Sequence, residues 1–257
     1  MGVRGGDLSR CKGTGHVEPN SWKFGVCGGP VFRQHCQSFL PTMQISSIEF
    51  ECSNPDLATC PEDDLLEFAF IGRSDVGKSS LLNMLSGKRA LARVSATPGH
   101  TKLINFFQVN RQWRLVDLPG YGFAQVARQD KARFNAAVSE YLKERPNLAC
   151  VFSLIDSSIP AQKIDLEFIE WLADNAVPFV LVFTKTDKVS ATKVRNNIQA
   201  FKDLIAGWFE AMPDTYSCSA SKRDGRSELL AVIDRTLAAE KAARKAAAAQ
   251  APAESGD

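Results

Sequence analysis

The sequence predicts an α/β protein with a mostly parallel, six-stranded sheet and helices on both of its faces. Short apolar segments of strand length alternate with longer segments of helical periodicity along most of the chain. A glycine-rich turn at residues 72–79 separates the first clear strand from the first helix. Strands that alternate with helices form parallel sheets through right-handed crossovers, and ligands bind beyond the carboxyl ends of such strands.

The first predicted unit is a strand followed by a helix. Residues 67–71 (EFAFI) form a buried strand, and residues 78–85 (KSSLLNML) begin a helix directly after the glycine-rich turn. Two alternating segments follow, at 101–109 and 111–118, and the polar Asn110 between them predicts the tight turn of a hairpin.

The rest of the chain continues the alternation of helix and strand. Segments of helical periodicity and short apolar runs follow one another without a long interruption. With the first strand and the hairpin, this region completes the six strands. Helices are expected at residues 128–145, 161–175, 191–210 and 225–245, and strands at 148–156, 177–184 and 214–219.

Both ends of the chain are predicted to lie outside the folded domain. Residues 1–42 contain scattered Gly, Cys and Pro without a sustained period, so we expect a disordered extension. The alternative is that translation begins at Met43 and this segment is not made. The folded domain is expected at 43–237, followed at 238–257 by an alanine- and lysine-rich tail that forms a fraying helix.

Composition narrows the functional classes. The chain is 44% hydrophobic and 23% charged, which is typical of globular proteins, and its net charge of +2 is far less basic than that of a dedicated nucleic-acid module. No apolar run is long enough for a membrane helix, so we expect a soluble protein with no membrane partner. We also expect a monomer that acts in the cytoplasm. The seven cysteines lack a CxxC pair and are expected to be reduced: Cys11, Cys27, Cys36, Cys52, Cys60, Cys150 and Cys218.

A phosphate-binding loop is predicted between the first strand and the first helix. The pattern G-x-x-x-x-G-K-[ST] needs glycines so that backbone amides can turn toward phosphate oxygens, and the following helix adds its positive end. Lys78 is expected to reach the β- and γ-phosphates, and the Ser79 hydroxyl to bind Mg²⁺. The loop consists of Gly72, Arg73, Ser74, Asp75, Val76, Gly77, Lys78 and Ser79.

Two further segments are expected near the γ-phosphate. After a hydrophobic strand, Asp117 can hold Mg²⁺ through water and the Gly120 amide can face the phosphate. In the polar loop before it, a threonine can bind Mg²⁺ only while the γ-phosphate is present; Thr101 is preferred, and Thr97 competes on sequence alone. The residues expected around the phosphates are Gly99, His100, Thr101, Lys102 and Leu103, and Asp117, Leu118, Pro119 and Gly120.

The base is expected to be selected by a carboxylate. Asp187 follows the apolar strand 177–184 and can accept hydrogen bonds from the ring N–H and the exocyclic amino group of guanine. Adenine offers no such pair, so GTP and GDP are preferred over ATP. Lys185 can lie along the base plane, and the backbone after the last strand can meet the guanine carbonyl. The residues expected at the base are Thr184, Lys185, Thr186 and Asp187, and Cys218, Ser219 and Ala220.

Hydrolysis is expected to be slow. Tyr121 follows Gly120, where Ras-like switches carry a glutamine that orients the attacking water, and no arginine finger is evident. The catalytic contributions are assigned to Lys78, Thr101 and Gly120. Tyr121 is expected to pack beneath its loop or, as the alternative, to stack on RNA.

Four segments together resemble the EngB family, also called YsxC or YihA, of bacterial ribosome-biogenesis GTPases. They are GRSDVGKSSLLNML, ATPGHTKLINFF, DLPGYGFA and TKTD, and the resemblance covers about residues 43–240. It implies a role in assembling the large ribosomal subunit, with ribosomal RNA and proteins as partners, and in normal cell division and septation. It also supports Thr101 over Thr97 as the Mg²⁺ ligand.

The chain departs from the family pattern at the phosphate-binding loop. Asp75 replaces the usual asparagine, which in related GTPases helps to hold a potassium ion, so the resemblance leaves the use of K⁺ open. Gln125 replaces a common lysine in the second switch. Two other classes also remain open: a signalling GTPase that binds only proteins, and a P-loop kinase or ATPase.

Overall fold

A computed structural model of the chain describes residues 43–88, 91, 103–121 and 128–250, with the side chains of all of these except 128–135, 248 and 250. The described residues form one sheet with helices on both faces. The strands are β1 (Ile48–Asn54), β2 (Leu66–Gly72), β3 (Ile104–Val109), β4 (Trp113–Asp117), β5 (Leu148–Asp156), β6 (Phe179–Thr184) and β7 (Thr215–Ser217). The helices are α1 (Lys78–Ser86), α2 (Arg128–Glu144), α3 (Lys163–Asp174), α4 (Ala191–Ile205) and α5 (Arg226–Gln250).

The sheet is mostly parallel, as predicted. Its order is β1-β3-β4-β2-β5-β6-β7, and β3 pairs antiparallel with both of its neighbours while the remaining pairs are parallel. From β2 the chain builds the sheet first toward β3 and β4 and then, in the opposite direction, toward β5, β6 and β7. The carboxyl end of β2 is therefore the switch point at which ligands bind in open α/β sheets.

The prediction of six strands was wrong, because β1 adds a seventh. This edge strand pairs only with β3 among the described strands, and Glu49, Phe50 and Glu51 in its middle are exposed. It is held by backbone pairing and by the Arg114 guanidinium of β4, whose Nε lies 2.7 Å from Glu51 Oε2. A strand that buries few side chains leaves only a weak apolar pattern in the sequence.

Two apolar layers cover the sheet. On one face, β2 and β5 pack with Leu81 and Leu85 of α1 and with Leu229 of α5. On the other face, the sheet packs with α2, α3 and α4, which contribute Tyr141, Ile169 and Phe201, among others. The central strands are buried on both faces, so β2, β5 and β6 are rigid supports for the loops at their carboxyl ends.

The predicted hairpin is confirmed. Asn110 and Arg111 both have positive φ, at 51° and 56°, and the Gln112 amide donates to the Val109 carbonyl at 2.9 Å. This backbone reversal matches the right-handed twist of the two strands it connects.

The last helix, α5, continues beyond residue 237, where the folded domain was expected to end. The tail is helical as far as Gln250, in agreement with the expected helical extension. Arg244 Nη2 donates to the Asp64 carbonyl at 3.2 Å, and Arg244 Nε donates to Glu240 Oε1 at 2.7 Å. The first part of the tail is therefore in contact with the domain. The predicted extension at 1–42 lies outside the described residues.

Candidate functional site

The loop between β2 and α1 has the backbone that a phosphate-binding turn requires. Asp75 and Gly77 have positive φ, at 62° and 101°, and the Val76 amide donates to the Arg73 carbonyl at 3.2 Å. The first helical bond runs from the Leu81 amide to the Gly77 carbonyl at 2.9 Å. The amides that precede it in the first turn have no acceptor within the helix, and their positive end favours an anion.

The segment after β4 lies directly against this loop. The Tyr121 amide donates to the Gly72 carbonyl at 3.2 Å, and the Leu118 amide donates to the Phe70 carbonyl at 3.1 Å. A Cβ atom added to Gly120 would lie 2.8 Å from the Gly72 carbonyl oxygen, and one added to Gly72 would lie 2.8 Å from the Leu154 carbonyl oxygen. Both positions require glycine because backbone passes too close for a side chain.

A buried ion pair joins the loop to the end of β4. Lys78 Nζ donates to Asp117 Oδ1, and the Asp117 side chain is only 1% exposed. The other carboxylate oxygen, Oδ2, is buried without a hydrogen-bond partner among the described residues. Ser79 follows Lys78 on the exposed surface of the first turn. Carboxylate and hydroxyl oxygens, such as those of Asp117 and Ser79, are the hard ligands that Mg²⁺ prefers.

The segment after β6 is tied to the same loop. The Thr184 hydroxyl donates to the Val76 carbonyl at 2.6 Å, which fixes the carboxyl end of β6 beside the phosphate-binding turn. Lys185 has a positive φ of 61°, and its Nζ donates to Asp156 Oδ2 at 2.7 Å. The fold therefore brings two motifs that are distant along the chain to one edge of the sheet.

Asp187 meets the loop after β7. Its Oδ1 accepts a hydrogen bond from the Ser219 hydroxyl at 2.7 Å. The hydrogen bonds from Ser219 and Ser221 lower the pKa of the Asp187 carboxyl below its usual value, so it is a charged acceptor at neutral pH. Gly225, with a φ of 80°, turns the chain behind Cys218.

The Cys218 thiol is buried beneath this loop. Burial raises its pKa to about 12, and the neighbouring Asp224 and Asp187 carboxylates act in the same direction. A thiol with so high a pKa is neutral and unreactive at physiological pH. The backbone of Cys218 is held against β6, since its amide donates to the Phe183 carbonyl at 2.8 Å.

Part of the predicted site lies where the structure describes no residues. Gly99, His100, Thr101 and Lys102 are outside the described residues, as is Thr97, so the choice between the two threonines stays a prediction. Leu103 is described and directly precedes β3. Among the described residues, no three His, Cys, Asp or Glu side chains cluster as a metal site.

Comparison with known proteins agrees with this geometry. A family model described as "50S ribosome-binding GTPase" matches residues 67–185. A probable GTP-binding protein EngB of Phocaeicola vulgatus is 46% identical over 192 residues, which is 75% of this chain and 96% of the relative. The chain belongs to the EngB family. It is a P-loop GTPase.

Other EngB proteins and a solved structure agree. A probable EngB of Flavobacterium psychrophilum is 47% identical over 193 residues, covering 75% of this chain and 94% of the relative. A crystal structure of a probable GTP-binding protein engB has a TM-score of 0.51 at 22% identity, over 66% of this chain and 98% of that one. At that identity, the match supports the fold alone.

Two acidic residues near the candidate site were not identified from the sequence. Asp156 ends β5, and its pKa is lowered: burial opposes the charge, but hydrogen bonds from Lys185 and Ser158 outweigh it. Asp156 could have been predicted as a site residue, because it lies at the carboxyl end of a buried strand, where ligands bind in such sheets. Asp165 in α3 contacts Arg73 and Tyr121, and nothing in its local sequence distinguishes it from other helical acids.

The Tyr121 side chain packs on α3; residues 122–127 of its loop lie outside the described residues, so its packing beneath that loop stays a prediction. Its ring lies 4.6 Å from that of Phe168, centre to centre.

Among the described helices, none is long and apolar enough to span a lipid bilayer.

Proposed function

We propose that this chain binds GTP and GDP with Mg²⁺, hydrolyses GTP slowly and acts as a switch in assembly of the large ribosomal subunit. One observation carries the nucleotide part of the proposal: three separate segments meet at the carboxyl ends of β2, β4 and β6. The Lys78–Asp117 pair joins the first two, and the bond from Thr184 to the Val76 carbonyl joins the first and third.

The phosphates would be held by the loop and the start of α1. Lys78 would exchange part of its contact with Asp117 for the β- and γ-phosphates, and the Gly120 amide would meet the γ-phosphate. Ser79 and Thr101 would ligate Mg²⁺ directly, and Asp117 would do so through water. When bound, Mg²⁺ supplies charge neutralisation on the phosphate oxygens.

Guanine would be recognised between the β6 and β7 loops. The Asp187 carboxylate, already oriented by Ser219 at 2.7 Å, would accept from both guanine donors. Lys185 would lie along the base, and the backbone of 218–220 would meet the guanine carbonyl. ATP lacks the matching donors, which argues against a kinase or ATPase function.

Slow hydrolysis is proposed because Tyr121 occupies the position of the glutamine that orients the attacking water in Ras-like switches. The Tyr121 hydroxyl donates to Asp165 Oδ1 at 3.0 Å, so it does not replace that glutamine. The experiment is a single-turnover GTP hydrolysis assay with and without purified large ribosomal subunits. We expect a low rate for the protein alone and a higher rate with the particles. Fast turnover by the isolated protein would contradict this part of the proposal.

The ribosomal role is supported by the description of the matching family model and by membership of the EngB family. We further propose that the protein acts as a cytoplasmic monomer and is needed for normal cell division and septation. Depletion should lead to accumulation of immature large subunits in sucrose gradients. Co-sedimentation with large subunits should require GTP; binding only to proteins outside the ribosome would favour the signalling alternative.

The use of potassium is a separate question about Asp75. Its side chain is exposed on the phosphate-binding loop and its backbone has a φ of 62°. Hydrolysis rates in KCl and in NaCl, for the natural chain and for Asp75→Asn, would decide whether this carboxylate supports a monovalent cation. A K⁺ dependence that appears only in Asp75→Asn would show that the carboxylate prevents it.

A further inference from the structure

A buried carboxylate in α3 lies between the phosphate-binding loop and the segment after β4. Asp165 is 1% exposed. Its Oδ2 accepts a hydrogen bond from Arg73 Nε at 3.2 Å, and its Oδ1 accepts one from the Tyr121 hydroxyl at 3.0 Å. One side chain thus connects two segments that both border the expected phosphate position.

Tyr121 is held by α3 at a second point. Its ring packs against Phe168 at 4.6 Å between centres. Phe168 is three residues after Asp165, so both contacts come from the same side of α3. The hydroxyl and the ring of Tyr121 are therefore positioned together.

The backbone of Tyr121 transmits this position to Gly120. The Tyr121 amide donates to the Gly72 carbonyl at 3.2 Å, and Arg73 and Tyr121 form an isolated parallel β-bridge. Gly120 packs closely against the phosphate-binding loop: a methyl group added there would lie 2.8 Å from the Gly72 carbonyl oxygen. A shift of Tyr121 must therefore move Gly120 relative to the phosphate-binding loop.

The charge balance at Asp165 favours the observed position of Tyr121. Burial raises the pKa of the Asp165 carboxyl, while Arg73 and Tyr121 act in the opposite direction by stabilising its charge. If Tyr121 swings away, the buried carboxylate loses one of its two donors. Leaving a buried charged group with fewer partners is costly, so the segment after β4 has a preferred position even before a nucleotide binds.

We propose that Asp165 is a positioning residue which, through Tyr121, sets how strongly the site prefers GTP over GDP. The inference rests on the proposed function, because it requires the Gly120 amide to meet the γ-phosphate. GDP lacks that phosphate and gains nothing from Gly120. A contact that favours one position of Gly120 therefore changes the affinity for GTP and leaves that for GDP unchanged.

The test compares Kd values for a non-hydrolysable GTP analogue and for GDP, measured by titration calorimetry with Mg²⁺ present. Tyr121→Phe removes the hydroxyl and keeps the ring on Phe168. We expect the analogue to bind about fivefold to tenfold more weakly and GDP to bind within about twofold of the natural chain. Asp165→Asn keeps the side-chain volume and should change the ratio in the same direction.

Tyr141→Phe is the matched control. The Tyr141 hydroxyl also donates to a buried carboxylate, Glu67 Oε2 at 2.8 Å, but it does so in the core beneath α2. This variant should lower the melting temperature without changing the ratio of the two Kd values.

Two outcomes would overturn the inference. If Tyr121→Phe and Asp165→Asn weaken both ligands equally, or weaken neither, Asp165 has a structural role only. If the natural chain binds neither ligand, the proposed function fails, and the inference fails with it. The GDP titration of the natural chain separates these cases.

Discussion

In the proposed function, base selection depends on the Asp187 side chain. Its carboxylate is oriented by the Ser219 hydroxyl and keeps its charge because hydrogen bonds lower its pKa. Because that pKa lies below the usual value, the charge would be lost only as the pH falls through a strongly acidic range. The contribution of the Asp187 carboxylate to guanine binding should therefore be nearly constant between about pH 5 and 8. The ratio of GDP affinities of the natural chain and Asp187→Asn, measured across that range, checks this.

Replacing that carboxylate by an amide should change the preferred base. In Asp187→Asn, the new NH₂ group faces the guanine donors, so GDP affinity should fall about 100-fold or more. Xanthosine diphosphate carries a carbonyl in place of the amino group and should bind better to the variant than GDP does. Titration calorimetry with both nucleotides measures this. Asp224→Asn removes an exposed carboxylate from the neighbouring loop after β7; it is the control and should bind GDP normally.

Asp156 should contribute to affinity by orienting Lys185. In Asp156→Asn, the ion pair with Lys185 Nζ at 2.7 Å is lost, and a lysine in a left-handed backbone conformation is no longer fixed. We expect GDP to dissociate about tenfold faster, measured by stopped flow with a fluorescent GDP. Glu167→Gln removes the exposed pair with Lys163 and should leave the rate unchanged. An unchanged rate in Asp156→Asn would show that Lys185 is positioned without it.

A glycine shapes the turn between β7 and α5, which follows the residues proposed to meet the guanine carbonyl, 218–220. Gly225 has a φ of 80°, and an added Cβ would lie 2.3 Å from the Ser217 carbonyl oxygen. Its backbone cannot relax easily, since the neighbouring Ser219 and Asp224 exchange two backbone hydrogen bonds at 3.1 and 3.0 Å.

Gly225→Ala should therefore disturb both the fold and the site. We expect the free energy of unfolding to fall by more than about 1 kcal/mol, and GDP affinity to fall with it because the chain at 217–219 must move. Urea denaturation and calorimetry measure the two effects. Gly207→Ala is the control: an added Cβ there meets no atom within 4 Å, so neither quantity should change appreciably. Equal behaviour of the two variants would contradict the assignment.

The edge strand β1 and the contact between α3 and Tyr121 show what cannot be predicted when each helix or strand is considered alone. The strands β2, β5 and β6 are buried throughout and were predicted from their apolar runs. β1 was not predicted, because its exposed middle carries no alternation. α3 was predicted as a helix, but its part in holding Tyr121 depends on which of its faces meets the loop.

For the molecule as a whole, binding and folding should be linked. The three joined segments come from distant parts of the chain, so a nucleotide that contacts all of them should bind only the folded state. At a GDP concentration of 100 times Kd, with Mg²⁺, the free energy of unfolding should rise by about 2.7 kcal/mol. ATP at the same concentration should produce no increase, and removal of Mg²⁺ with EDTA should reduce the effect of GTP. Stabilisation by ATP equal to that by GDP would contradict guanine selection.

Local patterns were sufficient to predict the α/β class, the phosphate-binding loop, the D-x-x-G turn and the guanine motif. Each depends on residues close together in the sequence: glycines that permit a turn, a strand before it and a helix after it. The order of these motifs along the chain also implied that they meet at one edge of the sheet.

Contacts between distant segments were needed for the rest. The pairing of Lys185 with Asp156, the bond from Thr184 to the Val76 carbonyl and the position of Asp165 beside Tyr121 arise when strands and helices pack. No short pattern encodes these contacts, because the two partners of each contact lie in segments far apart along the chain. Their significance comes from burial, which makes an unpaired charge costly and so selects one arrangement of the loops around the site.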